Sequence, residues 1–304
     1  MRILLLLALA CVPLSGAARA AEAVDRTPRI AVMSAFAPEW TTLRALMTGR
    51  QEQVVNGTTF VTGSLEGHEA VLFLSGVSMV NAAMTTQLAL DRFKITRIVF
   101  SGIAGGVDPA FAVGDVVVPS QWGEYLEAVF AREAADGWRL PSFFDRPFAN
   151  YGMIFPQPVE VARAGAAKPE QRFWFPVDEA MLAVAREAVA TVKLENCAAA
   201  GQCLERPPRV TVGGNGVSGP AFVDNQAFRE FTFRTFQARV LDMESAAVAH
   251  VAYANDIPFI IFRSLSDLAG GESGENLIRI FLQFAANNSA TVVRAFLRRL
   301  PADR

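Results

Sequence analysis

Three carboxylates sit where an apolar stretch gives way to a loop or helix: Glu39 after RIAVMSAFAP, Glu244 after RVLDM and Asp267 after FRSLS. In open α/β sheets, ligands bind beyond the carboxyl ends of the strands. Acids at such junctions can reach one ligand as proton donor, base or hydroxyl acceptor. Taken singly, each reads as well as a helix cap or as a first-turn acid answering a helix dipole. Together, beside the glycine-rich SGIAGG at 101–106, they mark a candidate site. The stretch 102–106 is expected to be a turn whose backbone, at Ala104 and Gly105, approaches a ligand closely. It matches neither a Walker A loop nor G-x-G-x-x-G. Two histidines and three cysteines are too few for a multi-ligand zinc centre, so no such metal site is expected.

Strands that end side by side must position these acids. Apolar runs predict strands at 29–35, 97–101, 115–119, 209–214, 239–242 and 259–264, with a hairpin of 60–66 and 70–74 turning at Gly67-His68. Helical spacing is read at 39–47, 79–93, 178–193, 225–236, 244–255 and 276–300. Strands apolar on both faces, alternating with helices, point to a mixed or mostly parallel sheet covered on both sides. Residues 122–176, with RLPSFFDRPF and QRFWFP, have no sustained period and read as a long aromatic, Pro-rich excursion that packs on the body or on a partner subunit. No repeat or linker divides the chain, so one domain is expected over 29–304, preceded by a flexible leader at 21–28.

The chain has 304 residues, 52% of them hydrophobic, with 30 acidic and 28 basic side chains. Such a chain buries a sizeable core and is not disordered. Its charge offers no general attraction to nucleic acid. Arg2, the apolar run 3–12 and Ala18-Arg19-Ala20 form the pattern of a secretory signal ending at residue 20. That run is too short to span a bilayer, and a lipobox ending at Cys11 would shorten it further. Removal takes Arg2 and Arg19 and no acid, leaving 26 basic residues against 30 acidic. The expected location is periplasmic or secreted, with no membrane attachment after cleavage. In an exported chain the remaining pair, Cys197 and Cys203 in CAAAGQC, is expected to form a disulfide; two free thiols are the alternative.

The segments RIAVMSAFAPEW, SGIAGGVDPAFAVGDVVVP, GPAFVDN, LDMESAAVAHVAYANDIPF and FRSLSD, in that order, resemble the purine nucleoside phosphorylase/uridine phosphorylase superfamily. Within it, the 5′-methylthioadenosine/S-adenosylhomocysteine nucleosidases are most similar. The resemblance runs from about residue 29 to 300 and fails over 122–176. The M-E-[ST]-A block followed by R-x-[IL]-S-D is its specific part. It implies a three-layer α/β/α sandwich with a central mixed twisted sheet, and hydrolysis of a nucleoside without a cofactor. It further implies that Asp267, steered by Ser266, protonates the purine at N7 and that Glu39 activates water. Glu244 would grip the ribose hydroxyls with Met243 packed on the sugar, Phe222 would stack on the base, and the Val223 backbone would read its edge. Members form dimers or larger assemblies in which a neighbour covers the 5′ end, so a homo-oligomer is expected, with 122–176 as its candidate surface.

Some positions depart from the family pattern. Phe36-Ala37-Pro38 replaces an acidic run, Ile103 replaces a small polar residue, and Asp242 replaces a Glu. These leave the 5′ substituent open. A phosphorylase must hold a phosphate dianion with arginines and backbone N–H groups, yet SAFAPEW and SGIAGGVDP contain no Arg or Lys. Water is therefore favoured as acceptor over phosphate. GPAFVDN and the signal also resemble secreted plant storage proteins of the superfamily. Retention of all three acids favours catalysis over storage or simple nucleoside binding. His250 is expected to be a buried, hydrogen-bonded histidine, His68 a turn residue, and Arg263 a structural ion-pair partner.

Overall fold

The computed structural model describes residues 25–198 and 201–302. The expected signal segment and residues 21–24 lie outside the described residues. The chain runs through β1 (Asp25–Ser34), α1 (Ala37–Leu46), β2 (Thr48–Val55), β3 (Thr58–Leu65), β4 (His68–Leu74), α2 (Met79–Arg92) and a long β5 (Phe93–Gly106). β6 (Val116–Val118) and β7 (Gln121–Glu124) follow. Seven short strands complete the middle of the chain: β8 (Ala128–Phe130), β9 (Arg132–Ala134), β10 (Gly137–Arg139), β11 (Ile154–Pro156), β12 (Val159–Val161), β13 (Glu170–Arg172) and β14 (Trp174–Pro176). Then come α3 (Glu179–Val189), β15 (Val210–Val212), β16 (Asn215–Ser218), α4 (Gln226–Phe236), β17 (Ala238–Asp242), α5 (Ser245–Ala254), β18 (Phe259–Asp267) and α6 (Ile278–Leu297).

Twelve strands form one mixed sheet in the order β14-β7-β16-β17-β5-β1-β4-β3-β2, with β18, β6 and β15 branching from β5. β1 lies parallel to β4 and β5, and β18 parallel to β5, while β17 meets the end of β5 antiparallel. All nine residues of β18 are buried, as expected for a central strand covered on both faces. α2 packs on α5, whereas α1 and α3 pack on α6, which gives the helical layers. This is the three-layer α/β/α arrangement expected. The hairpin of β3 and β4 turns through Glu66 (φ 48°) and Gly67 (φ 90°), a pair of left-handed residues that suits a two-residue hairpin.

Several expectations are corrected. The glycine run 102–106 is no turn. It is the last part of β5, paired with β18 and β17, and none of its glycines has a positive φ. Glycine is needed there because neighbouring side chains cross close to the strand. β18 continues past 264 to Asp267, so the acid ends the strand instead of following it. Residues 25–28 of the expected leader belong to β1. β2 was not legible because TGRQEQVV is a polar, mostly exposed edge strand, and β16 because NGVS is short and weakly patterned. The stretch 122–176 is tied in at both ends: β7 and β14 pair within the main sheet, burying Trp122 and Phe175. Between them lie three small antiparallel ladders, β8–β11, β9–β10 and β12–β13. Cys197 and Cys203 are bonded to each other. His68 opens β4 and meets the Leu297 carbonyl at 2.8 Å. His250 is half-buried, stacked on Phe175, with Nδ1 3.1 Å from Glu124 Oε1.

Candidate active site

A cavity of about 300 Å³ opens where β1, β5, β17 and β18 end. Its wall includes every site residue expected from sequence: Glu39, Ala104, Gly105, Phe222, Val223, Met243, Glu244, Ser266 and Asp267. Phe222 is 57% exposed, whereas Val223 is buried. Ala35, Phe36, Val77, Ile103, Ile278 and Leu282 add apolar wall. Among the described residues, no lysine or arginine lines the cavity.

Asp267 ends β18 and is 3% exposed. Its Oδ2 accepts the Ser266 hydroxyl at 2.8 Å, and Oδ1 accepts the Ala269 N–H at 2.9 Å. Burial pushes this carboxyl above its ordinary range, against the pull of those two donors, and the negative charge of Glu272 adds to the rise. Gly105 on the neighbouring strand leaves room for it, since a Cβ there would lie 3.1 Å from Asp267 Oδ1.

Glu39 sits in the first turn of α1, which Pro38 helps to start. Its side chain bends back so that Oε2 accepts the N–H groups of Ala35 (2.6 Å) and Phe36 (3.3 Å). This is the carboxylate half of a capping box, with the acid reaching back to the N-cap backbone. Oε1 accepts the N–H of Ile103 in β5 at 2.8 Å, which joins α1 to the sheet. Burial raises the Glu39 pKa, while Arg263 and the three N–H donors oppose the rise.

Glu244 lies between β17 and α5, with Oε1 accepting the Ser78 N–H at 2.7 Å. Burial and the adjacent Asp242 charge push its pKa up to about 7, against the pull of Arg263. Asp242 itself is consumed locally: Oδ1 accepts the Ser218 hydroxyl at 2.5 Å and the Ser245 N–H at 3.1 Å.

Arg263 organises these acids from behind the cavity. It is 0% exposed, with its guanidinium 4.1 Å above the Phe100 ring. Nε donates to Ser245 Oγ at 2.9 Å and lies 2.7 Å from Asp242 Oδ2. Nη1 is 3.7 Å from Glu39 and Nη2 3.9 Å from Glu244. Those separations exceed hydrogen bonds, so the guanidinium acts on the two glutamates through its charge. The expectation of a structural ion-pair role thus captured Asp242 but missed its reach to both site glutamates. Sequence reasoning also missed the Ser78 and Ile103 N–H donors, because backbone donors leave no mark in residue type.

The geometry presents one buried acid, one carboxylate fixed by backbone donors and a third carboxyl group, around an apolar space without a cation. Such an arrangement suits proton transfer to and from a neutral, partly apolar ligand. The phosphorylase superfamily model matches residues 29–299. The chain is 32% identical over 270 residues to the 5′-methylthioadenosine/S-adenosylhomocysteine nucleosidase of Geobacillus kaustophilus, spanning 88% of this chain and 96% of that one. It is similar to the solved nucleosidase of Streptococcus pneumoniae bound to a transition-state inhibitor, with TM-score 0.68 and 26% identity, covering 90% and 100% of the two chains. It shares its fold with the futalosine hydrolase of Helicobacter pylori, with TM-score 0.66 and 22% identity, covering 91% and 99%. On the family match, the shared sheet and the placement of its acids, the chain belongs to the phosphorylase superfamily.

Proposed function

We propose that this chain hydrolyses the N-glycosidic bond of purine nucleosides such as 5′-methylthioadenosine, S-adenosylhomocysteine or adenosine, releasing free base and pentose. The observation that carries the reading is a buried Asp267 and a backbone-held Glu39 on the wall of one cavity that no lysine or arginine among the described residues lines.

Adenine is a poor leaving group as an anion. A carboxyl group that keeps its proton at neutral pH can deliver it to N7, so that the base leaves neutral. Burial of Asp267 favours that protonated form. The ribose then gains oxocarbenium character. Glu39, whose carboxylate form Arg263 and three backbone donors favour against the effect of burial, accepts a proton from the water that attacks C1′, and those donors hold it in orientation. Glu244 accepts a ribose hydroxyl, with Met243 against the sugar. The Phe222 ring, exposed at the mouth, is available to stack on the base.

A phosphate dianion at C1′ would need a cation on the wall; Arg263 stands behind it, its charge shared by Asp242, Glu39 and Glu244. That supports water as acceptor. Export is part of the proposal: it rests on the sequence pattern of residues 1–20, and the Cys197–Cys203 bond is chemistry that persists in oxidising compartments. So is a homo-oligomer, with the 122–176 region as its surface. The test is base release from methylthioadenosine, S-adenosylhomocysteine, adenosine, inosine and uridine, with and without phosphate. Release without phosphate is expected. Release only with phosphate refutes the choice of water, and binding without release refutes catalysis.

A further inference from the structure

Asp267 has a second carboxylate in the loop that follows it. Glu272 Oε1 accepts the N–H of Leu268, the residue next to Asp267, at 2.6 Å. The Gly271 N–H donates to the Leu268 carbonyl at 3.0 Å, which closes the turn between them. The other oxygen of Glu272, Oε2, is buried and has no hydrogen-bond partner. A carboxylate held this way is an awkward element for stability alone, because one oxygen loses solvent and receives no donor. A neutral acceptor would hold the Leu268 N–H equally well. The surplus is negative charge, held by the Leu268 N–H one residue from Asp267.

We propose that Glu272 is a positioning residue for Asp267: through the Leu268 N–H it fixes the turn that follows the acid and sets a second carboxylate next to it. The inference rests on the reading of Asp267 as the acid that protonates the base. The charge acts where solvent does not screen it, since Asp267 is 3% exposed. The other groups facing Asp267 do not supply this effect. Ser266 and Ala269 donate hydrogen bonds, which favour the ionised form, and the nearby Asn276 amide acts in the same direction. Asn276 also bonds Asp224 at 3.1 Å. Arg229 of α4 packs along Gly271, with its Nε given to the Gly106 carbonyl at 2.9 Å. Glu39 and Glu244 stand elsewhere on the cavity wall and are offset by Arg263. Glu275 of the same loop is exposed to solvent, which leaves Glu272, with one buried oxygen, as the carboxylate whose charge works against ionisation of the acid.

Glu272→Gln keeps an oxygen for the Leu268 N–H and removes the charge. Two readouts are taken on the full chain. One is the pH profile of kcat/KM for methylthioadenosine. The other is the carbon NMR titration of the Asp267 carboxyl in the ligand-free protein, assigned by its loss in Asp267→Asn. The expected result is a move of both the alkaline limb and the Asp267 titration to lower pH in Glu272→Gln, with kcat/KM above the limb falling about tenfold per unit moved. Glu272→Asp, which restores the charge, should bring both back towards the unaltered protein. A purely structural role would lower the rate at every pH without moving either curve, and superimposable titrations overturn the proposal. The NMR readout needs no turnover, so failure of the acid's partner and failure of the proposed reaction are told apart.

Discussion

A methyl group added at Gly102 tests whether Arg263 and Glu39 are locked as described. A Cβ there would lie 1.7 Å from Arg263 Nη1, 2.6 Å from Glu39 Oε1 and 3.0 Å from Arg263 Cζ. Ordinary contact begins at 3.4 Å, so the guanidinium would have to retreat by about 1.7 Å. It has no slack to do so, being fully buried, stacked on Phe100 and held 2.7 Å from Asp242. The φ of Gly102 is not positive, so its backbone accepts alanine without strain. On backbone grounds alone Gly102→Ala would stabilise by about 0.4–1 kcal/mol. Overpacking costs about 1–3 kcal/mol, and breaking a buried ion pair costs about 3–5 kcal/mol. These are two views of one displacement, so the larger sets the expected loss, about 3–5 kcal/mol. That is a large part of the roughly 5–15 kcal/mol that holds a domain. Denaturant unfolding at fixed pH measures it, and base release at a temperature where the variant is still folded measures the effect on Glu39. The double variant Gly102→Ala/Arg263→Ala should be less destabilised than the two single losses added, because the clash and the pair share one side chain. If Gly102→Ala unfolds within about 1 kcal/mol of the unaltered protein and releases base normally, the guanidinium is free to move and the account of the site's rigidity is wrong.

Asp267→Asn should reduce base release by about 10²–10⁴ while calorimetry still detects nucleoside binding; full activity would remove Asp267 from the chemistry. Folded Glu244 keeps its proton up to about 7, against 4.5 as its ordinary value, so between those pH values the folded state binds more protons than the unfolded one. Stability contributed by this group is therefore complete below the ordinary value and is lost as pH rises through the folded one. Glu39 and Asp267 act in the same direction. Thermal midpoints should fall across that interval, with Glu244→Gln falling less; a midpoint that rises contradicts the assignment. Cys197 and Cys203 are six residues apart, and replacing both with Ser should lower the unfolding free energy by about 2 kcal/mol by the chain-entropy argument. Equal denaturation midpoints for the variant and the unaltered protein would show that the loop is held by other contacts, such as Arg206 on Asp115 at 2.6 Å and 2.9 Å.

What the amino-acid sequence determined by itself was the class of sheet and the identity of its acids. Buried strands such as FIIFRSLSD must carry apolar residues on both faces, and a side chain that ends such a strand must face the ligand side; both are visible in residue type. The three acids meet in one cavity for that reason, together with the residues that the family resemblance implied. Tertiary structure alone decided how the acids are controlled. The run 102–106 looked like a turn because glycine is permissive, but those glycines make space for side chains from β18 and α1. The N–H donors to Glu39 and Glu244 come from Ile103 and Ser78, 64 and 166 residues away along the chain. The charge of Arg263 reaches three acids only because β1, β5, β17 and β18 are brought together in one sheet. Residue type records whether a group can ionise. Burial, and neighbours distant in the chain, decide whether it does, and these exist only once the sheet has formed.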